Sequence, residues 1–376
     1  MKKTIMKVIS LMLVLSMMVV AVSNVAVVAK KKAKVALNTK KATLVIGNTK
    51  QLKVKGITKK QAKKVKWSSN KKKIATVSKS GKVKAVKMGN AKITAKVGKK
   101  KYVCKITVKP LPTDRELLKE FIAAENKKGA GISTDLDAYH YVWDSTKTKL
   151  EELLLNESDV TGELKVSQFK SLKALNCKEN RITKIDAKGL KFLETIDCGN
   201  NKITKIDVKD LKSLTYLRVS SNEIKELDVS GLSSLKNLLC TSNKMTKLNV
   251  SGLTSLKVLQ CQSNQIGSLN LTGINSLATL YCYDNKLTTL NLMGATSLQI
   301  VRCYSNLLTK LDLPISSSLK EIQCGNNKLE ELKLAGLTAL ADLRCKVNNI
   351  TELDITGLTI KKSAIQCDAG VNIIGG

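Results

Sequence analysis

Ten cysteines, a single histidine and a set of tyrosines and arginines are the residues of this 376-residue chain with the widest chemical repertoire. Eight of the cysteines, Cys177, Cys198, Cys240, Cys261, Cys282, Cys303, Cys324 and Cys345, stand on one 21-residue grid, and Val219 fills the skipped place. Disulfide frameworks pair cysteines at irregular separations, whereas a column that accepts valine asks for a small buried apolar group. No CxxC pair occurs, so zinc and iron–sulfur sites lack their usual spacing. The expectation is a column of buried free thiols and no metal or other cofactor. His140 lies among Tyr139, Tyr141 and Trp143, where a packing role outweighs chemistry. The carboxylates also follow the grid: Asp186, Asp207, Asp228, Asp312 and Asp354 share one column with Asn249, Asn270, Asn291 and Lys333. A catalytic acid would break such a pattern once. No break is found, and no enzyme is expected.

Binding chemistry is better represented. Three columns of the repeat carry its four tyrosines, Tyr216, Tyr281, Tyr283 and Tyr304, and three of the chain's five arginines, Arg218, Arg302 and Arg344, share the middle column. Tyrosine and arginine are the residue types enriched at interface hot spots. These seven side chains are the candidate ligand site, densest at Tyr281, Tyr283, Arg302 and Tyr304. Strand propensity alone would also favour tyrosine at such positions.

These side chains must be positioned by the repeat itself, which reads L-x-x-L-x-C-x-x-N-x-[IL]-T-x-L-D-[VLI]-x-G-L-x-S from Leu172 onward. Residues such as Leu175 and Cys177 alternate inward on a short strand, and coils stack in parallel about 4.8 Å apart. One coil cannot bury its leucines alone, so the unit must be a stacked solenoid. Asn180, Asn201, Asn222, Asn243, Asn264, Asn285, Asn306, Asn327 and Asn348 recur at the same period. They are expected to turn inward at the bend and hydrogen-bond backbone groups of their own and the adjacent coil. Glycines at 189, 231, 252, 273, 294, 336 and 357 suit the return on the far side. The repeat resembles the short bacterial leucine-rich repeat of internalin-like surface proteins, with cysteine in the third leucine place. The resemblance implies a parallel β-sheet on a concave face that serves as the ligand surface. About ten coils are expected over 150–376, beginning with an atypical coil from Leu150 in which Ser158 or Asp159 takes the asparagine place. Residues 111–149 read as a helical cap or linker, opened by the capping box Thr113–Glu116.

Residues 30–110 show period-two alternation with glycine at the turns, as in an all-β sandwich. Gly47, Gln51-Leu52, Trp67-Ser-Ser-Asn70, Ala75-Thr-Val-Ser78, Gly81, Val83, Gly89, Ala91 and Ile93-Thr-Ala95 resemble the pattern of bacterial immunoglobulin-like group 2 domains. The resemblance implies a stalk or wall-proximal module with Trp67 as the core anchor between sheets. Its charge departs from that pattern: residues 30–109 hold 28 lysines with no arginine, aspartate or glutamate, out of a net charge of +35 for the whole chain. Such a field attracts polyanions. Residues 1–29 combine a basic start (Lys2, Lys3, Lys7), an apolar run and the small-residue site Val27-Val-Ala29, which reads as a secretory signal peptide.

The sequence therefore predicts a secreted, cell-wall-associated recognition or adhesion protein of a Gram-positive-type bacterium, without a transmembrane segment in the mature chain. Residues 30–110 would hold anionic wall polymers, and 150–376 would bind a protein or glycan on the concave face. Nucleic acid is disfavoured on compartment grounds. The alternative is a structural surface-layer or wall-spacer protein without a discrete ligand.

Overall fold

The computed structural model describes residues 33–376, and the signal peptide expected over 1–29 lies outside them. The chain divides into two compact units between Leu111 and Pro112.

The first unit is an antiparallel-rich β-sandwich. Strands β1 (Ala36–Leu37), β2 (Lys41–Val45), β3 (Thr49–Gln51), β4 (Val54–Lys55), β5 (Lys66–Ser69), β6 (Ala75–Val77), β7 (Lys82–Ala85), β8 (Gly89–Val97) and β9 (Lys100–Lys109) follow in order. They form a four-stranded sheet β2-β9-β8-β5, a three-stranded sheet β3-β7-β6 and a β1-β4 ladder. Alternation is strict on the long strands: Ala91, Ile93 and Ala95 of β8 and Cys104, Ile106 and Val108 of β9 point inward and are buried. Leu44, Leu52, Val83 and Ala85 close this core. Trp67, expected as the core anchor, is only partly buried and packs at the margin of the cluster. Its indole lies against Gly81, where a Cβ would come within 2.7 Å of both the ring and the Leu52 carbonyl. Leu52, Ile93 and Ile106 fill the centre of the core instead, and the indole packs at its edge.

The second unit opens with helix α1 (Asp114–Asn126). Thr113 caps it: the Glu116 amide donates to Thr113 Oγ1 at 3.3 Å, and the Thr113 amide donates to Glu116 Oε2 at 2.8 Å. The helix buries Leu118, Phe121 and Ile122, and Phe121 meets Phe169 edge-to-face at 5.9 Å. The helical part of 111–149 ends there, since Gly129, Gly131 and a run of Ser, Thr and Asp favour turns. The stretch then forms β10 (Tyr141–Trp143), which pairs antiparallel with β11 (Leu150–Leu154). This covers the edge of the long sheet with a short strand of reversed direction, one way to blunt an open ladder.

From β11 onward the sheet is parallel. Eleven strands, ending with Ile365–Gln366, stack in register, so the turns number eleven against about ten expected. Successive strands are offset by 21 residues, with one extra residue at the first step (Glu152 opposite Ala174) and at the last (Leu343 opposite Ile365). Every strand from Ala174–Asn176 to Glu321–Gln323 buries its middle residue and half-exposes the two flanking ones. One continuous core of Leu, Ile, Val and Cys runs the length of the unit.

Candidate functional site

Position on the concave face is fixed by the asparagine column at the end of each strand. Asn201 Nδ2 donates to the carbonyls of Cys198 (3.2 Å) and Gly199 (3.1 Å) in its own coil and of Cys177 (2.9 Å) in the preceding one. Its Oδ1 accepts from the Ile182 amide at 2.9 Å. The same set recurs at Asn222, Asn243, Asn264, Asn285, Asn306 and Asn327. At the ends, Asn180 holds the amides of Ser158 and Val160, and Asn348 bridges to Cys324 and Cys345. Each asparagine follows a residue in the left-handed region, from Glu179 (φ 57°) to Val347 (φ 61°). On the return side, glycines from Gly189 (φ 75°) to Gly357 (φ 75°) take the same region. The Asp/Asn column there makes side-chain turns: Asp228, Asn249 and Asp354 each accept the amide two residues on, at 2.9–3.0 Å. Either residue type supplies that acceptor, which accounts for their interchange.

The cysteine column lies inside. All ten cysteines are free thiols; the eight on the grid and Cys104 are buried, and Cys367 is partly exposed. Burial pushes Cys261, Cys303 and Cys345 up to about 12. They therefore stay protonated at neutral pH and are poor nucleophiles.

The outward columns hold the candidate binding residues. The Tyr283 and Tyr304 rings, on adjacent coils, stack at 4.3 Å with 10° between their planes, and Tyr281 stands 6.5 Å from Tyr283. The Arg302 guanidinium lies 4.7 Å above the Tyr281 ring and donates from Nε to Glu321 Oε1 at 2.7 Å. Desolvation raises the Tyr304 hydroxyl to about 12, with Tyr283 adding to the shift. Beside the stack, Gln262 keeps its Oε1 buried without a hydrogen-bond partner. A cavity of about 220 Å³ adjoins on the other side, lined by Tyr304, Gln323, Gly325, Arg344, Lys346 and Gln366.

Tyr281, Tyr283, Arg302 and Tyr304 thus form one cluster. Tyr216 and Arg218 stand three coils towards the N-terminal end, and Arg344 two coils beyond Arg302. Carboxylates partner all three arginines: Asp197 for Arg218 (3.5 Å), Glu321 for Arg302 and Asp342 for Arg344 (3.0 Å). Reading tyrosines and arginines alone missed these acids, as well as Gln323, Gly325 and Gln366. Gly325 shares its column with Gly199 and so gave no distinct signal; a Cβ there would meet the Lys346 carbonyl at 2.8 Å. In the cap, His140 stacks on Tyr139 at 3.9 Å. No helix among the described residues is long and apolar enough to cross a membrane.

Residues 31–108 match the family model of the bacterial Ig-like domain (group 2), and residues 170–212 match that of leucine-rich repeats in two copies. None of the curated proteins compared matches the chain. Among solved structures, the functional domain of InlJ from Listeria monocytogenes, which includes a cysteine ladder, is 32% identical with a TM-score of 0.54. The match covers 62% of this chain and 52% of that one, so the chain spans about half the length of the InlJ structure. The leucine-rich-repeat ectodomain of the plant receptor kinase GASSHO1/SCHENGEN3 from Arabidopsis thaliana is 16% identical with a TM-score of 0.52, over 67% of this chain and 38% of that one. That second likeness is one of fold. The chain thus joins an N-terminal bacterial immunoglobulin-like domain of group 2 to a leucine-rich-repeat solenoid similar to that of the internalin-type protein InlJ.

Proposed function

We propose that the chain is an exported, wall-associated recognition protein of a Gram-positive-type bacterium. Its solenoid binds a protein or glycan on the concave face, and its lysine-rich domain is retained electrostatically on anionic wall polymers. The observation that carries the first part is the Tyr281–Tyr283–Arg302–Tyr304 cluster. Three aromatic rings and a guanidinium sit half-exposed on neighbouring rigid coils, where little entropy is lost on binding. Support for the second part is the charge of residues 30–109, set apart from a nearly neutral remainder.

The test uses labelled full chain applied to arrays of glycans and of cell-surface proteins. Hits are then re-measured with Tyr283→Ala/Tyr304→Ala and with Lys247→Ala/Lys286→Ala, a pair outside the outward columns. The tyrosine pair should weaken binding at least tenfold, about 1.4 kcal/mol, with an unchanged melting temperature. Unchanged affinity would remove the cluster from the site. Retention is tested by a salt wash of intact cells, since protein that resists high salt is not held by lysines alone.

A further inference from the structure

The lysines of the first unit are ordered in a way their number alone does not require. On the outer face of the sheet β2-β9-β8-β5, Lys41 lies directly opposite Lys105, and Lys105 directly opposite Lys92. Four residues along, Lys66, Lys96 and Lys101 line up across β5, β8 and β9. All six are exposed. Like charges placed directly opposite across strands repel, and residues 30–109 contain no acid to relieve them. The two lysine rows are separated by about 13 Å along the strands. Neutral Ser68, Thr94 and Val103 fill the space between them. Beyond the first row stand Thr43, Thr107 and Asn90, with Thr107 Oγ1 donating to Asn90 Oδ1 at 2.9 Å. A groove of about 630 Å³ lies over this first row, with Asn70 and Lys71 also lining it.

We infer that this face is a seat for a phosphodiester polymer lacking bases, such as a polyol phosphate. A chain lying along the strands meets one lysine row, then a neutral stretch, then the second row, while Thr43, Thr107 and Asn90 supply hydrogen bonds at the groove. Binding would relieve the repulsion the register imposes. The inference rests on the electrostatic-retention reading above and adds to it a defined site and ligand class. Single-stranded nucleic acid fits this face poorly, because base stacking needs aromatic rings. Trp67 and Tyr102 alternate to the opposite side of these strands and are partly buried against the core.

The probe is long-chain inorganic polyphosphate, titrated against the full chain at several salt concentrations. Lys41→Gln/Lys92→Gln/Lys105→Gln is compared with Lys79→Gln/Lys82→Gln/Lys84→Gln, which removes the same charge from exposed positions elsewhere in the unit. The first triple should lose at least tenfold in affinity and flatten the salt dependence by about 2–3 in log–log slope, while the control loses under threefold. The first triple should melt no lower than wild type, which excludes misfolding as the cause. Equal losses in both triples would refute the site and leave general charge retention standing. A wild-type chain that ignores polyphosphate would overturn both. Tighter binding of a single-stranded DNA of equal charge, abolished by the same triple, would refute the ligand class.

Discussion

Asn264→Ala removes one member of the asparagine column from the middle of the solenoid, and its cost follows from how the lost hydrogen bonds are shared. Asn264 Nδ2 donates to the carbonyls of Cys240 (3.1 Å), Cys261 (3.1 Å) and Gln262 (3.2 Å), and its Oδ1 accepts the Met245 amide at 3.1 Å. The two cysteine carbonyls each keep a second donor, Asn243 Nδ2 at 3.3 Å and Asn285 Nδ2 at 3.1 Å. The Met245 amide keeps none in so buried a place. One orphaned N–H costs about 1–3 kcal/mol, and the net loss at the carbonyls adds about 1 kcal/mol. The expected destabilisation is therefore about 2–4 kcal/mol. Urea unfolding of the full chain, followed by circular dichroism, measures it as a lower midpoint. Asn264→Asp sharpens the test. It retains the acceptor for Met245 but turns an oxygen towards three carbonyls. It should be less stable at pH 8, with the carboxylate charged, than at pH 4.5. A loss under 1 kcal/mol for the alanine variant, or an aspartate variant indifferent to pH, would refute the ladder as the element that fixes the coils.

Four further outcomes follow from the ends and the interior of the solenoid. Asp368 closes the last full coil, accepting the Val347 amide at 2.8 Å and the Asn348 amide at 3.1 Å, and these donors hold its carboxyl below the usual range. Its stabilising contribution is thus present above the unfolded carboxylate pKa near 4 and lost as pH falls through the lower folded value. Asp368→Ala should cost about 1–2 kcal/mol at pH 7, given its partial exposure, and progressively less as pH is lowered, read as hydrogen-exchange protection of residues 342–348. Val347 is the one β-branched residue in the left-handed column, so Val347→Asn should stabilise by about 1 kcal/mol, seen as a raised melting temperature. Cys261→Val should be tolerated, as Val219 shows for the same column, whereas Cys261→Ser should cost about 1–3 kcal/mol for a buried hydroxyl. Alkylation of the native chain at pH 8 should modify Cys367 alone among the ten thiols, and labelling of the buried eight without unfolding would contradict their assignment to the core.

The fold was written in the sequence because the repeat repeats its physics. A 21-residue period with leucine and cysteine at fixed offsets has one way to bury them, and the asparagine and glycine columns mark the two bends. The sandwich was legible for the same reason, in the alternation of β8 and β9. What escaped depended on long-range geometry. Trp67 looks like a core anchor by type, yet its indole lies against Gly81 at the margin while Leu52, Ile93 and Ile106 fill the centre. The pairing of Arg218 with Asp197 and of Arg302 with Glu321 joins neighbouring coils, and it emerges only when the columns are set side by side at their true register. Asp368 lies outside the grid and so gave no periodic signal, although it supplies the acceptors that the next coil would otherwise provide. The helix of the cap was signalled by its capping box, but nothing local announced that β10 would turn back onto the first strand.

Recognition on the concave face at the tyrosine–arginine cluster is tested most directly by a footprint. Hydrogen exchange of the full chain is measured with and without a partner drawn from the array hits. Binding at the cluster should add protection over the strands Thr279–Tyr281 and Ile300–Arg302 and the residues that follow them, through Tyr304, with the return side at 289–294 unchanged. Protection confined to the return side, or to residues 33–111, would contradict it.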